Sequence, residues 1–247
     1  MQLWAVSLGQ APGVAAAVGL GRSAALEMST TWRGWLQLPE TPSTADWRAA
    51  AIAIQADTRE SAIRISNGKS QVLRLRRHAL PAVAQPFKLR PGDEYLITGG
   101  TGAVGWHFAR WLVSHGATRL VLTGRTAAGE PHWAELRAGG VDIQIVAADA
   151  SDLAAMQTLI ARLSRLRGVI HAAGIGGFDT IANMTESSLR DVLRPKVEGG
   201  WNLHLATQGL PLDFFVVCSS IASVWGSGEQ AHYAAGNQFL DCLAAYR

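Results

Sequence analysis

A doubly wound parallel α/β sheet is the fold class predicted for most of this chain, and three observations predict it. From Glu94 onward, short strand-like apolar runs alternate with segments of helical periodicity. The first of those runs leads directly into the glycine-rich turn Thr98-Gly99-Gly100-Thr101-Gly102-Ala103-Val104-Gly105. Of the 247 residues, 48% are hydrophobic, enough for a sizeable packed core.

The elements follow in order. Residues 11–20 are apolar, but no Lys or Arg precedes them and Pro12, Gly13 and Gly19 interrupt them. The segment therefore reads as a buried helix and not as a signal peptide. No stretch reaches the roughly 18 apolar residues that span a bilayer. A strand over 34–38, a helix over 46–53 and alternating strands near 63–65 and 72–75 complete the first part. Gly19-Leu20-Gly21-Arg22-Ser23-Ala24 fits a GxGxxA pattern, but no strand feeds it, and it is read as a helix-packing turn. Residues 78–91 contain Pro81, Pro86 and Pro91 and run into Gly92-Asp93, a linker with a turn. A boundary there divides the chain into 1–91 and 92–247. Beyond it come strands at 94–98, 119–123, 142–147, 168–171 and 213–218. Helices over 102–115, 133–138, 152–163 and 187–205 alternate with them, and a last helix carries Tyr233.

Composition narrows the function. The net charge is only +3, so the pI near 9.2 reflects a small surplus of arginine and not a basic block, and nucleic-acid binding gains no support. Cys218 falls in a strand and Cys242 in a helix, without CxxC spacing or a His/Cys cluster. Neither a disulfide framework nor a metal site is expected, and the expected compartment is the cytoplasm.

The glycine turn supplies the first chemistry. Gly100, Gly102 and Gly105 form GxGxxG between a strand and a helix, which lets the backbone approach a dinucleotide pyrophosphate with the helix N-terminus facing the anion. The second strand ends in Gly124-Arg125, where an acidic residue would grip the adenosine ribose of NAD. Arg125 in that place favours the 2′-phosphate of NADPH, the alternative being a solvated arginine at a strand end. Asp149, followed by Ala150, ends the third strand; it could accept from an adenine amine or cap the next helix. His171-Ala172-Ala173-Gly174 ends the fourth strand with small residues that leave room for a nicotinamide and its ribose, and His171 itself reads as structural. Tyr233 and Asn237 lie four apart on one helical face. Tyrosine is a poor acid at its ordinary pKa of about 10, so proton delivery to a carbonyl needs a nearby cation, and Lys196 is the candidate.

In this order the glycine turn, His-Ala-Ala-Gly, Lys196, Ser219-Ser220 and Tyr233-xxx-Asn237 resemble the ketoreductase domain of modular polyketide synthases, within the short-chain dehydrogenase/reductase superfamily. Most of that superfamily places lysine four residues after the tyrosine; these ketoreductases place asparagine there and take lysine from the preceding helix, as this chain does. The resemblance covers essentially all of 93–247 and implies a Rossmann-like catalytic subdomain. It further implies that residues 1–91 are the truncated, catalytically silent Rossmann-like subdomain, incomplete at its start. By the same resemblance the family continues past Arg247 through a strand, a lid and a final strand.

Carried over by position, Tyr233 would give a proton to the substrate carbonyl oxygen, and Ser220, thirteen residues upstream, would hydrogen-bond that oxygen. Ser219 is the next candidate, since a shift of one residue along a strand exchanges its faces. Lys196 would stabilise the phenolate and hold the nicotinamide ribose, and Asn237 would support the proton relay. The implied reaction is NADPH-dependent reduction of a β-ketoacyl thioester carried on an acyl carrier protein, with other synthase domains in the same polypeptide; a silent bracing module is the rival. Trp225, eight residues before Tyr233, matches the A-type marker, which implies an L-hydroxyl, and Gln230 leans to the A1 subtype; Trp225 as a packing residue is the alternative. Arg74, Arg76 and Arg77 could meet an acidic carrier or form a solvated strand face.

Overall fold

The computed structural model describes residues 2–56, 60–79, 88–126 and 130–247, with backbone alone for 130–132. They form two compact units made of interleaved segments. The first comprises Met1–His78, Gly176–Leu193 and Ser219–Tyr246; the second comprises Ala79–Ile175, Arg194–Cys218 and Arg247.

The first unit opens with β1 (Leu3–Leu8), α1 (Pro12–Glu27), β2 (Trp32–Leu38), α2 (Thr44–Gln55), β3 (Ala62–Ser66) and β4 (Lys69–Val72). The strands pair in the order β1-β2-β3-β4, parallel except for β3 with β4. β1 has no counterpart in the sequence reading, and β4 begins and ends earlier than expected. Its position follows from Asn67 and Gly68, at φ +52° and +68°, which make the tight turn that Asn-Gly favours. Ser43 and Asp46 form a capping box at the start of α2. The other oxygen of Asp46 accepts from the Gly68 N–H at 2.8 Å, so the helix start also holds the hairpin turn. That hydrogen bond, then those from Ser43, keep the Asp46 carboxyl below its usual range. Leu36, Leu38, Ile63 and Ile65 pack on Ala49, Ala50 and Ala53.

The GxGxxA pattern lies inside α1 and not at a turn. Its glycines serve close packing: a Cβ on Gly19 would stand 2.7 Å from the Ala234 carbonyl, and one on Gly21 would stand 2.8 Å from the Trp35 ring. Ala234 belongs to α8 (Ala231–Tyr246), which in this unit follows the short α7 (Ala222–Trp225).

The second unit holds β5 (Glu94–Thr98), α3 (Ala103–Ser114), β6 (Arg119–Gly124), α4 (Glu130–Ala138), β7 (Asp142–Ala147), α5 (Leu153–Ala161), β8 (Leu166–His171) and β9 (Phe214–Val217). It also holds the carboxyl-terminal part of α6 (Glu186–Ala206), whose residues up to Leu193 belong to the first unit. All five strands are parallel in the order β7-β6-β5-β8-β9. Alternation along each strand feeds two separate cores. Tyr95, Ile97, Leu120, Leu122 and Ile170 pack with Ala109 and Leu112 on one face. Leu96, Val121 and Val169 pack with Met156, Leu159, Ile160 and Leu203 on the other. Both faces are therefore covered, as a doubly wound sheet requires. Strand order reverses between β5 and β8, so their carboxyl ends open a crevice at the switch point.

Among the described residues no helix is long and apolar enough to cross a membrane, and no cluster of His, Cys, Asp or Glu could hold a metal ion.

Candidate active site

The crevice is lined by backbone held too close for side chains. Gly99 has φ +68°, and a Cβ there would stand 2.6 Å from the Ala173 nitrogen, so the glycine turn after β5 rests on the chain leaving β8. On Gly105 a Cβ would stand 2.5 Å from the Gly99 carbonyl, and on Gly124 it would overlap the Thr101 hydroxyl. These contacts bring the first turn of α3 and the end of β6 onto one loop. Gly102 caps α3 without a side chain, and Gly102, Ala103 and Val104 are exposed. The Gly102 N–H is bonded to the Gly99 carbonyl at 3.1 Å, and the first N–H groups of α3 have no partner within the helix and stand at its positive end. A dinucleotide pyrophosphate fits the chemistry of such a helix start. Arg125 follows β6 and is exposed.

Asp149 does not cap α5. Asp152 does so, accepting from the Ala155 N–H at 3.0 Å. Asp149 instead accepts from the Ser151 N–H at 2.9 Å and pairs with Arg194 at 3.7 Å, while the buried Ala150 offers its carbonyl to Asn202.

His171 is wholly buried at the end of β8. Burial, then the Lys196 cation, push its pKa down to about 4, so the ring is neutral. Its Nε2–H then donates to the Pro195 carbonyl at 3.0 Å, and its Nδ1 accepts from the Thr98 hydroxyl at 2.7 Å. The ring thus ties α6 to β5 and β8. Beside it, Lys196 is 5% exposed, and its Nζ donates to the Cys218 carbonyl at 3.2 Å. A Cβ on Gly174 would stand 3.1 Å from Cε and 3.2 Å from Nζ of Lys196, so glycine there makes room for the lysine. The ammonium therefore lies at the carboxyl ends of β8 and β9, within the same unit as the glycine turn. Cys218 has its thiol pKa raised by burial, which the Lys196 charge partly offsets.

β9 ends at Val217, so Ser219 and Ser220, in the first unit, follow the strand and are not on its opposite faces. Their hydrogen bonds differ. The Ser219 hydroxyl donates to the Asn237 carbonyl of α8 at 3.2 Å. Ser220 Oγ accepts from the Ala222 N–H at 3.3 Å, which orients the oxygen and leaves its proton to give. Tyr233 is half-buried in the first turns of α8. Asn237 is fully buried, its Nδ2 donating to the Tyr233 carbonyl at 2.7 Å, and its Oδ1 is an unused acceptor among the described residues. Trp225 is exposed, and Gln230 accepts from the Ser227 hydroxyl at 2.9 Å.

A family model described as the KR domain matches residues 94–247. The chain belongs to this family. A pikromycin polyketide synthase component, PikAIII of Streptomyces venezuelae, is 39% identical over 236 residues, covering 93% of this chain and 15% of that protein. Polyketide synthase GfsA of Streptomyces halstedii is 39% identical over 239 residues, covering 93% of this chain and 3% of that protein. A solved structure described as an A1-type ketoreductase matches with a TM-score of 0.90 at 38% identity, covering 100% of this chain and 56% of that one. A-type ketoreductases from a modular polyketide synthase match with a TM-score of 0.88 at 39% identity over the same shares. The KR chain thus spans 15% or less of these two synthases.

For a KR domain of the short-chain dehydrogenase/reductase type, the sequence reading located the glycine turn, the lysine helix and the tyrosine helix. It missed Thr98, Pro195 and Gly174 as the groups that seat His171 and Lys196, and Glu27 in α1, which binds two loops of the first unit. A proline inside a helical pattern leaves backbone groups to be satisfied, and that was the available signal for Pro195. Arg74 is bonded to Glu60 at 3.0 Å, whereas Arg76 and Arg77 are exposed.

Proposed function

We propose that this KR domain reduces the β-keto group of an acyl carrier protein-bound thioester to a β-hydroxyl, with NADPH as the reductant. The observation that carries the reading is a buried ammonium at the switch point: Lys196 lies against Gly174, in the same unit as the glycine turn and the N-terminus of α3.

The turn 101–104, exposed at 102–104, would hold the pyrophosphate, and Arg125 the 2′-phosphate through its planar fork. Asp149 and Ala150 would border the adenine, and the backbone of Ala172, Ala173 and Gly174 the nicotinamide end, with Lys196 on its ribose hydroxyls. When bound, NADPH supplies the hydride that reaches the β-carbon. Tyr233 gives its phenolic proton to the carbonyl oxygen as negative charge develops there. Ser220, whose O–H is left to donate, stabilises that charge. Lys196 stabilises the phenolate, and Asn237, with an acceptor still open, relays the replacement proton. The A-type description of the two solved relatives, with Trp225 and Gln230 here, supports an L-hydroxyl product.

Loss of NADPH absorbance with a β-ketoacyl N-acetylcysteamine thioester tests the reading. Removing a positioned acid lowers turnover by about 10²-fold or more. Tyr233→Phe is therefore expected to lower kcat by about that factor, with NADPH affinity unchanged. A wild-type chain that neither binds NADPH nor turns over would instead be a bracing module.

A further inference from the structure

Glu27 stands where helix electrostatics disfavour it. It is the last residue of α1, at the negative end of the helix, with no basic residue in that turn. Its carboxylate is committed elsewhere. Oε2 accepts from the Ile181 N–H at 2.7 Å, and Oε1 accepts from the Glu229 N–H at 2.8 Å. Each oxygen thus binds one of two loops far away in sequence, through charge-assisted hydrogen bonds.

Those loops meet beside the tyrosine helix. The Asp179 N–H donates to the Glu229 carbonyl at 2.8 Å, and Asp179 bridges to Gln230 in parallel register. Glu229 has φ +60°, a left-handed conformation that an ordinary side chain adopts at a cost unless its surroundings hold it. A Cβ on Gly177 would stand 2.6 Å from Nε2 of the buried His232, so the first loop lies directly over the residue before Tyr233. α1 also grips the second loop through Ser23, whose hydroxyl accepts from the Ser227 N–H at 3.1 Å.

We infer that Glu27 is a positioning residue for the proposed reduction. It sets the 177–181 and 226–230 loops in one mutual arrangement, and that arrangement governs substrate binding and the stereochemical outcome through Gln230 and the approach to Tyr233. The inference rests on the ketoreductase reading and gives the first helix a specificity role beyond bracing.

Hydrogen exchange and product analysis on this chain test it together. Glu27→Gln keeps one acceptor and turns an N–H toward a backbone N–H; Glu27→Asp keeps the charge but withdraws it by one methylene. Losing a charge-assisted hydrogen bond changes a local opening equilibrium by about tenfold or more. Each variant is therefore expected to speed exchange at Ile181, Glu229 or both by about that factor, with the amides of α8 unchanged. With a racemic 2-methyl-3-ketoacyl thioester, KM should rise and the product diastereomer ratio should fall by about threefold or more, while kcat stays near wild type. Should Glu27→Gln fail to fold, Glu27→Asp carries the test. Wild-type exchange at both amides in the folded variants overturns the inference, and so does faster exchange with an unchanged KM and product ratio. A wild-type chain without turnover overturns the ketoreductase reading instead, and the exchange measurements then decide alone whether Glu27 holds the two loops.

Discussion

His171 is the residue whose chemistry is most completely determined by its surroundings. Buried, neutral and bonded at both ring nitrogens, it gains nothing from a proton and would lose the Nδ1 acceptor that Thr98 uses. The folded pKa of about 4 lies below the ordinary 6.5, so the unfolded chain takes up the proton first as pH falls. The stability this represents is complete above about pH 6.5 and is lost progressively toward pH 4, by about 3 kcal/mol. Urea unfolding at pH 7, 5.5 and 4 should show that decline, and His171→Gln should make the slope shallower. Some slope remains in the variant, because burial also lowers the pKa values of His232 and His204. At the other end of the proposed cofactor, Arg125 is exposed at the end of β6 with its guanidinium available to a phosphate. Arg125→Ala is expected to weaken NADPH binding by about tenfold, the worth of a charge-assisted contact of roughly 1.5 kcal/mol, and to leave NADH binding unchanged. Titration by fluorescence with each nucleotide separates these outcomes.

At the scale of elements, α1 shows why a pattern without its context misleads. Its GxGxxA resembles a nucleotide turn, yet the glycines sit in mid-helix and serve approach to α8 and β2. Glycine normally weakens a helix interior by about 0.5–1 kcal/mol relative to alanine. Gly13 has nothing within 4 Å of a Cβ, so Gly13→Ala should stabilise by about that amount. Gly19 reverses the sign: its Cβ would meet backbone of α8 at 2.7 Å, and Gly19→Ala should destabilise by about 1–3 kcal/mol through overpacking. Denaturant midpoints of the two variants check the pair. The elements of 94–246 other than the four-residue α7 were legible because strand and helix periods differ and the glycine turn marks their junction. β1 was not legible: its six residues pair only with β2, a parallel partner beyond α1. The β3–β4 turn is encoded locally in Asn67-Gly68, both at positive φ.

At the scale of the molecule, the first unit is assembled from three stretches separated in sequence. The face of α1 that carries Gly19, Arg22, Ser23 and Glu27 is completed by 177–181 and by 223–238: Arg22 donates to the Ser223 carbonyl and to Gln238, and burial lowers its pKa, with Asp241 opposing. Residues 1–91 expressed alone would expose that face together with its desolvated arginine. They are expected to keep helical far-ultraviolet dichroism but to lose cooperative unfolding and near-ultraviolet signal. Cooperative melting of 1–91 with a well-dispersed NMR spectrum would contradict this.

What the amino-acid order determined by itself was local: the alternation of strands and helices, the demand for glycine at 99, the Ser43 cap, and the succession of Lys196, Ser220, Tyr233 and Asn237. Each depends on residues within one element or turn, where period, φ and capping act over a few positions. Folding alone decided which groups seat those side chains. Lys196 bonds a carbonyl 22 positions away and His171 one 24 away, and Glu27 binds amides 154 and 202 positions away. Such pairings depend on how polar groups are satisfied once the sheets have formed, and no local pattern encodes that.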